Sequence, residues 1–380
     1  MVIERPFTAE PPSWCEDRRW TTYLGALSDG AVDAAEREGL GAWVATDRDA
    51  PRDLVDLVAQ VGDVCALETR RAGSVDGVES LHVPERKRAQ VAAFTAALDA
   101  LGLHPDRIVD VGSGHGYLTR QLAESFGVTA NGLELNDALV ARAASLAQGT
   151  KATFHRVDVR SERWALASND LVVGLHCCGD LGDRAVTGAR DAGAAVAVMG
   201  CCPQKRDGER VSLFDSTSVA RARLTLPHAA LGLANRHEGD AGIERDLATR
   251  IRSRVFRLAL HQLFHSAGLA LEPGEEMRGV NRRYATHSLD ALAAKAFAVR
   301  GVAPPSATSI RAAEQDAWRR FARMRRWSLP RDMLARLVEV WIALDRAAVL
   351  EAAGYRCDVS IAFDAEVSPR NVLVTGVRKG

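Results

Sequence analysis

The residues best placed to bind a ligand form a glycine-rich turn after a short apolar run. Residues 109–116 read VDVGSGHG, and residues 117–126 repeat apolar side chains at helical spacing. Glycines let a backbone approach a ligand closely, and the N-terminus of the following helix offers unpaired N–H groups. The glycines at 112, 114 and 116 do not follow the G-x-G-x-x-G spacing of a dinucleotide fold. The pattern therefore favours S-adenosylmethionine, which has no pyrophosphate, over NAD.

Acidic residues follow this turn at the ends of the next predicted strands. Glu134 ends the second strand, eighteen residues after Gly116, where a carboxylate can accept both ribose hydroxyls. Asp158 ends the third strand, within reach of an adenine amine. Asp110 has two open interpretations, a hydrogen bond to the backbone of the turn or one to the amino group of the ligand. The predicted cofactor residues are Asp110, Gly112, Ser113, Gly114, Gly116, Glu134 and Asp158.

A second group of reactive side chains follows the fourth and fifth predicted strands. Residues 176–180 read HCCGD, and residues 199–202 read MGCC. In a parallel sheet both segments emerge at the carboxyl edge beside the cofactor, where an acceptor group must lie. His176 is a candidate general base, or a histidine packed against a backbone carbonyl. Asp180 faces the acceptor, or it caps the helix that follows.

Four cysteines and a histidine in these segments raise the question of a metal ion. Cys₄ and Cys₃His are ordinary zinc ligand sets. However, adjacent side chains on a strand point to opposite faces, and the C-x₂₋₄-C spacing of zinc sites is absent. We therefore expect no metal, and we interpret Cys177, Cys178 and Cys202 as candidate contacts of the substrate.

These residues require strands that end at one edge of a sheet. From Ile108 onward, short β-branched runs alternate with helical patterns, which predicts an α/β fold with a parallel, Rossmann-like sheet. Two strand candidates near the C-terminus complete a seven-stranded sheet. We predict four segments: an N-terminal helical region at 1–80, a cofactor-binding core at 81–204, a helical insertion over the carboxyl edge at 205–345, and the last helix with two strands at 346–380.

Charge is distributed unevenly along a chain whose 49 basic and 49 acidic residues cancel. Residues 1–80 hold sixteen acidic and eight basic residues, whereas residues 203–330 hold thirteen and twenty-two. Arg250, Arg254 and Arg257 recur at helical spacing as one basic stripe, and a second stripe with neighbouring aromatics consists of Arg319, Arg323 and Arg326. Such stripes suit RNA phosphates and unpaired bases. Pairing with the acidic N-terminal region explains them equally well.

Composition limits the class of protein. Apolar residues make up 47% of the chain and charged residues 26%, as in an ordinary folded domain. Apolar runs are too short for a membrane span, and the first residues lack an apolar signal core. Seven cysteines, four of them in vicinal pairs, are a poor disulfide framework. We expect a cytoplasmic protein without membrane segments, and the sequence does not indicate its oligomeric state.

Several of these strings together resemble a known family. VDVGSGHGYLTRQLA, GLHCCGDL, MGCC and the segment Ser368-Pro369-Arg370-Asn371 are similar to the methyltransferase-like protein 25 family, which includes the ribosomal RNA adenine dimethylase domain-containing proteins. The GLH-x-CGDL segment also resembles, more loosely, the eukaryotic tRNA 2′-O-methyltransferases. The resemblance covers roughly residues 81–202, including the basic stretch 84–87, and the last fifteen residues. It implies a class I methyltransferase fold that uses S-adenosylmethionine.

From these residues we predict methyl transfer to RNA, either rRNA or tRNA. His176 and Asp180 are the candidate catalytic residues, and Asn371 either contacts the substrate or only turns the chain. Arg250, Arg254 and Arg257 are the candidate phosphate contacts. Two alternatives stay open: a methyltransferase that acts on a small molecule or a protein, and a catalytically silent module that binds S-adenosylmethionine and a partner.

Overall fold

The computed structural model describes residues 10–69, 85–214, 224–235 and 247–379, apart from positions 273, 282 and 366 and the side chain of residue 86. The predicted boundary at residue 80 and the first residue of the basic stretch, Pro84, lie outside these ranges. Within the described part of the chain, every helix is too short or too polar to cross a membrane.

Helices and strands alternate through the middle of the chain. The helices are α1 (Ser13–Asp17), α2 (Thr21–Ala26), α3 (Asp29–Glu38), α4 (Leu40–Thr46), α5 (Arg52–Cys65), α6 (Glu85–Asp99), α7 (Tyr117–Phe126), α8 (Asp137–Leu146), α9 (Leu181–Ala192), α10 (His228–Leu231), α11 (Leu247–Ser266), α12 (Tyr284–His287), α13 (Leu289–Val299), α14 (Ala307–Met333) and α15 (Ala335–Glu351). The strands are β1 (Arg107–Val111), β2 (Thr129–Glu134), β3 (Ala152–Arg156), β4 (Asp170–Leu175), β5 (Ala195–Met199), β6 (Arg210–Val211), β7 (Thr225–Leu226), β8 (Tyr355–Ile361) and β9 (Val372–Arg378).

Seven strands form one sheet in the order β3-β2-β1-β4-β5-β9-β8. The first five strands are parallel, and β9 lies antiparallel between β5 and β8. This confirms the predicted seven-stranded α/β sheet, with the two C-terminal strands at one edge. The strand order reverses between β1 and β4. In open α/β sheets, ligands bind outside the carboxyl ends of the strands at such a reversal.

The central strands are buried on both faces, because successive side chains enter different apolar cores. Val109 and Val172 belong to a core that includes residues of α9 and α15. Ile108 and Leu171, their neighbours in sequence, belong to a core that includes residues of α6 and α7. Burial on both faces explains the continuous apolar runs of the sequence. It also holds the carboxyl ends of β1 and β4 in place.

The described residues fall into two compact units. One lies within Met1–Val58 and Glu238–Met333, and the other lies within Ala59–His237 and Leu334–Gly380. The second unit contains the whole seven-stranded sheet. The predicted segment boundaries at residues 80, 204 and 345 stay predictions.

Within the first unit, acidic N-terminal helices pair with arginines of α14. Arg325 donates to Asp33 and Glu36, with one Arg325 Nη2 to Glu36 Oε2 distance of 3.0 Å. Arg326 donates to Asp29 at 2.9 Å and to the Leu27 carbonyl oxygen at 2.7 Å. Of these two arginines, Arg326 belongs to a predicted stripe, and its contacts agree with the alternative of internal pairing.

In the second unit, a buried ion network links α9, β6 and α15. Asp183 accepts hydrogen bonds from Arg206 at 3.1 Å, from Arg210 at 3.2 Å and from Arg346 at 2.9 Å. Arg210 also pairs with Asp345 at 2.8 Å. Burial alone would raise the pKa of Asp183, but Arg346 and Arg210 hold this pKa below its usual range. The carboxylate is therefore charged and fully engaged near neutral pH.

We expect Asp183→Asn to lower the free energy of unfolding by about 3–5 kcal/mol, because it leaves buried guanidinium charges without compensation. Urea unfolding measures this change. The matched control is Asp191→Asn on the same helix, whose carboxylate is 67% exposed beside Arg190. Exposed ion pairs contribute only about 0–1 kcal/mol. Equal losses in both variants would contradict the stabilising role of the buried network.

Candidate functional site

The glycine turn between β1 and α7 has the backbone conformation that its sequence predicts. Gly112, Gly114 and Gly116 have φ angles of +75°, +56° and +74°, in the left-handed region that favours glycine. A Cβ at Gly116 would collide with the ring of Phe154, whereas a Cβ at Gly114 would meet nothing within 4 Å. The turn is thus packed on one side and open at Gly114, where a ligand can approach the backbone.

Glu134 lies at this turn, as predicted. Its Oε2 accepts a hydrogen bond from the Gly114 N–H at 3.0 Å, and its Oε1 accepts one from the Asn136 N–H at 3.0 Å. An ionised carboxylate has about four acceptor positions, so two remain for hydroxyl donors. The side chain is half-buried, at the carboxyl end of β2. These residues fit the ribose of S-adenosylmethionine.

Ser113 adds a second observation at the turn. Its backbone N–H donates to the Leu133 carbonyl oxygen at 3.1 Å. Its Oγ is buried and has no hydrogen-bond partner among the described residues. A buried hydroxyl without a partner costs free energy. We interpret it as a group that a bound ligand or water satisfies, which fits a cofactor site at this turn.

The described side-chain partner of Asp110 is Thr119, and its contact with the amino group of the ligand stays a prediction. Its carboxyl group is buried and accepts a hydrogen bond of 2.6 Å from Thr119 Oγ1, on the first turns of α7. Burial raises the pKa of Asp110 to about 6, although the hydrogen bond from Thr119 and the charge of Lys87 act in the opposite direction. The described contacts therefore make Asp110 a link between β1 and α7. In the sequence, the signal for this link is Thr119, a threonine on the apolar face of α7.

Asp158 lies beyond the end of its strand. The prediction that it ends β3 was wrong, since this strand stops at Arg156. The carboxylate accepts a hydrogen bond from the Arg160 N–H at 3.1 Å and pairs with its guanidinium at 3.3 Å. The backbone bond from Arg160 is the main cause that lowers the pKa of Asp158. Its contact with adenine stays a prediction.

His176 is the residue that directly follows β4, and its backbone is unusual. Its φ of +66° lies in the left-handed region, which costs a non-glycine residue roughly 1 kcal/mol or more. Its Nε2 donates to Gln90 Oε1 on α6 at 3.0 Å, because an amide oxygen can only accept. This partner is a side-chain amide oxygen, whereas the second interpretation of His176 expected a backbone carbonyl oxygen. The sequence analysis did not single out Gln90.

Asp180 occupies the N-cap position of α9, but its side chain makes no capping hydrogen bond. The alternative that it merely caps this helix is therefore not supported. Its Oδ1 is buried, and among the described residues it has no hydrogen-bond partner. This carboxylate at the carboxyl end of β4 is available to a ligand that donates a hydrogen bond.

The cysteines separate into two environments. Cys177 is 2% exposed, and its Sγ contacts the Val111 carbonyl oxygen at 3.6 Å, so it packs in the core rather than against a substrate. Burial raises its pKa to about 12. Cys178, Cys201 and Cys202 are half-buried, and all three sulfurs lie within 4.8 Å of one another. The sequence analysis left Cys201 out of the site.

The expectation that adjacent cysteines point to opposite faces of a strand was wrong for the group of Cys178, Cys201 and Cys202. Cys178 and the pair Cys201-Cys202 lie in loops beyond the ends of β4 and β5, where the alternation of a strand does not apply. Cys178 Sγ lies 3.0 Å from Cys201 Sγ, which lies 3.5 Å from Cys202 Sγ. The hydrogen bond between Cys178 and Cys201 lowers the pKa of Cys178 and raises the pKa of Cys201.

Two of the remaining predicted contacts, Asn371 and Arg257, have hydrogen-bond partners within their own units. Asn371 is buried and its Nδ2 donates to the Phe363 carbonyl oxygen at 2.9 Å, whereas its Oδ1 is buried and has no hydrogen-bond partner among the described residues, so both predicted roles of Asn371 stay open. Arg257 donates twice to Oε1 of the buried Glu276, at 2.8 and 2.9 Å. Arg250 and Arg254 are half-buried on the same helix, α11.

Comparison with known proteins identifies the central part of the chain. Residues 86–207 match the model of a family described as "Methyltransferase domain". The chain carries a methyltransferase domain. The matched residues include the glycine turn, Glu134 and both cysteine segments. The protein is therefore a methyltransferase with a class I fold, and S-adenosylmethionine is its cofactor. The finer resemblance to the methyltransferase-like protein 25 family stays a prediction.

Solved methyltransferases show distant likeness to this domain. A TehB-like SAM-dependent methyltransferase from Corynebacterium glutamicum is 17% identical, over 38% of this chain and 92% of that chain, with a TM-score of 0.26. DesVI from Streptomyces venezuelae is 14% identical, over 77% and 94%, with a TM-score of 0.31. The tRNA (uracil-54, C5)-methyltransferase from Pyrococcus abyssi is 20% identical, over 30% and 29%, with a TM-score of 0.25. At these scores the likenesses decide nothing about the acceptor.

Asp110 generates a prediction about pH in the absence of cofactor. Its folded pKa of about 6 exceeds the unfolded value of about 3.9, so the protonated form favours folding. This contribution is complete below about pH 4 and is lost as the pH rises through about 6. Asp110→Asn keeps an acceptor for Thr119 and cannot ionise. Relative to the wild type, we expect the variant to gain about 2 kcal/mol of unfolding free energy between pH 4.5 and 7.5.

Urea unfolding at the two pH values measures this gain. Asp99→Asn is the control, because Asp99 is exposed at the end of α6. A gain of the same size in the control, or none in Asp110→Asn, would refute the assignment of the pH dependence to Asp110.

Proposed function

We propose that this methyltransferase acts on RNA, at an acceptor O–H or N–H group that donates a hydrogen bond to Asp180. The observation that carries the proposal is the buried Asp180 Oδ1, which has no partner among the described residues. A buried carboxylate oxygen is costly unless a donor reaches it. An acceptor hydroxyl or N–H supplies that donor at the carboxyl edge of the sheet.

The proposed reaction requires a methyl donor, residues that hold this donor, and a residue that orients and deprotonates the acceptor. S-adenosylmethionine supplies an electrophilic methyl group, whose bond to sulfur breaks so that S-adenosylhomocysteine leaves. Glu134 and the open turn at Gly114 hold the cofactor at the ends of β1 and β2, since both present polar groups there. Asp180 orients the acceptor and takes its proton as the new bond to carbon forms. A positioned base of this kind contributes typically 10²–10⁴-fold to the rate.

RNA is favoured as the acceptor by arginines that have no acidic partner. Among the residues that the structure describes, neither Arg250 on α11 nor Arg323 on α14 forms an ion pair, and Arg323 is exposed. Each belongs to one of the two predicted stripes. Unpaired guanidinium groups bind phosphates and stack on unpaired bases. We assign phosphate binding to these two residues.

A second candidate function is methyl transfer to a small molecule or a protein. The observation that favours it is the pairing of Arg257 with Glu276, of Arg325 with Asp33 and Glu36, and of Arg326 with Asp29. These arginines serve the packing of their own unit. In this case, acceptor binding depends only weakly on salt, because phosphate contacts are missing.

Asp180→Asn tests the role of the carboxylate. We expect kcat to fall by roughly 10²–10⁴, because asparagine can still contact the acceptor but cannot take its proton. The dissociation constant of S-adenosylmethionine should not change. Initial rates with methyl-labelled cofactor and isothermal titration of the cofactor measure these two quantities. Asp191→Asn on the same helix is the control, and unchanged turnover in Asp180→Asn would sink the assignment.

The acceptor class is tested with the purified full-length protein, methyl-labelled S-adenosylmethionine and fractionated host lysate. We expect the label to enter a fraction that ribonuclease destroys and protease does not. Label that survives ribonuclease contradicts the RNA proposal and supports the second function. Absence of any label, with normal cofactor binding, contradicts both functions and leaves a silent binding module.

The arginine assignment is tested with the double variant Arg250→Glu and Arg323→Glu. For single-stranded RNA, we expect the plot of log affinity against log salt to lose about 0.7 units of slope per phosphate contact. Cofactor affinity should stay constant. Arg48→Glu is the control, because it reverses an exposed charge in the same unit outside both stripes. Normal RNA binding by the double variant would show that the stripes are not phosphate contacts.

A further inference from the structure

Two loops meet at the carboxyl edge of the sheet and are held together by backbone bonds. β4 and β5 are parallel neighbours, with Leu175 paired to Met199 at their ends. Beyond these ends, the Cys177 N–H donates to the Met199 carbonyl oxygen at 2.9 Å, and the Gly179 N–H donates to the Cys202 carbonyl oxygen at 2.9 Å. The loops therefore have a fixed position relative to each other before any ligand binds.

Gly179 makes the approach of these loops possible. Its φ of +59° lies in the left-handed region, and a Cβ there would collide with the backbone carbonyl of Lys205. The Lys205 N–H in turn donates to the Cys202 carbonyl oxygen at 3.0 Å. The same backbone oxygen thus receives one hydrogen bond from each loop. These two backbone hydrogen bonds hold Cys178 close to Cys201 and Cys202.

The three thiols have the spacing of ligands around one ion. Cys178 Sγ and Cys201 Sγ are 3.0 Å apart, Cys201 Sγ and Cys202 Sγ are 3.5 Å apart, and all three lie within 4.8 Å of one another. In a tetrahedral site with zinc–sulfur bonds of about 2.3 Å, sulfurs lie about 3.8 Å apart. Small rotations of these side chains would reach that spacing.

The surroundings of the thiols suit a divalent cation with one open position. Three thiolates around a doubly charged ion leave one negative charge, and the charge of Lys205 acts on both Cys178 and Cys202. Cys201 lines a recess whose wall also includes Gly200, Pro203 and Ala234. The recess therefore reaches the Cys201 thiol, whereas Cys178 and Cys202 do not line it.

We propose that Cys178, Cys201 and Cys202 form a three-thiolate site for a thiophilic divalent ion of the zinc class. Thiolates are the ligands that select such ions over magnesium or calcium. The proposal does not depend on the identity of the methyl acceptor.

Cobalt(II) is the spectroscopic probe for this site in the reduced, full-length protein. We expect one Co²⁺ per chain, with near-ultraviolet thiolate-to-cobalt absorption that Zn²⁺ abolishes by displacement. Each of Cys178→Ser, Cys201→Ser and Cys202→Ser should weaken binding by roughly a hundredfold or more, since loss of an outer-shell partner alone costs 10–100-fold. Cys357→Ser is the matched control, a half-buried cysteine on β8.

A measurement on the unaltered protein makes the test independent of how the variants fold. Zn²⁺ should protect Cys178, Cys201 and Cys202 from alkylation, as mapped by mass spectrometry of peptides, and should leave Cys65 and Cys357 unprotected. Cofactor binding is titrated in parallel, so that loss of the methyltransferase fold is recognised separately. The proposal is overturned if the wild type shows no cobalt–thiolate absorption, or if zinc protects no cysteine selectively. Formation of a Cys178–Cys201 disulfide in place of metal binding would overturn it as well.

Discussion

A buried carboxylate that is surrounded by three guanidinium groups holds α9, the loop after β5, β6 and α15 together. Asp183 is contacted by Arg206, Arg210 and Arg346, which come from the loop after β5, from β6 and from α15. Removal of these charges from water is compensated only while every partner is in place. The helix α9, the loop and α15 therefore have to fold together. The guanidinium of Arg346 also lies where a side chain at Gly200 would need space, directly before the thiol pair.

The two halves of the site are consequently held by different kinds of interaction. On the cofactor side, neighbouring strands fix the glycine turn: Gly112 and Ser113 both donate to the Leu133 carbonyl oxygen, and Glu134 accepts from Gly114. These bonds join segments about twenty residues apart. On the acceptor side, Asp180 and the three thiols precede or follow residues of the Asp183 network. Their geometry therefore depends on partners far away in the sequence.

This difference explains what could be predicted from the sequence. The seven strands, the conformation of the glycine turn and the approach of Glu134 follow from local periodicity and from glycine itself, so they were predictable. The hydrogen bond from Thr119 to Asp110 needed the packing of α7 on β1. The pairing of Asp183 with Arg346 spans 163 residues and leaves no local pattern. The grouping of the thiols was missed because strand geometry was applied to residues that lie just beyond the strands.

Ion pairs inside one unit explain the uneven distribution of charge, whether or not the protein binds a charged partner. The acidic helix α3 and the basic helix α14 belong to the same unit, and Arg325 donates to two carboxylates of α3, Asp33 and Glu36. Burial raises the cost of leaving such a guanidinium unpaired, so the acids are needed for folding whatever the protein binds. One compact unit is made of both segments, so the acidic residues of one segment can pair with the basic residues of the other. Only arginines outside these pairs, such as Arg250 and Arg323, can therefore report on recognition of a polyanion, because no ion pair with a described residue uses their charge.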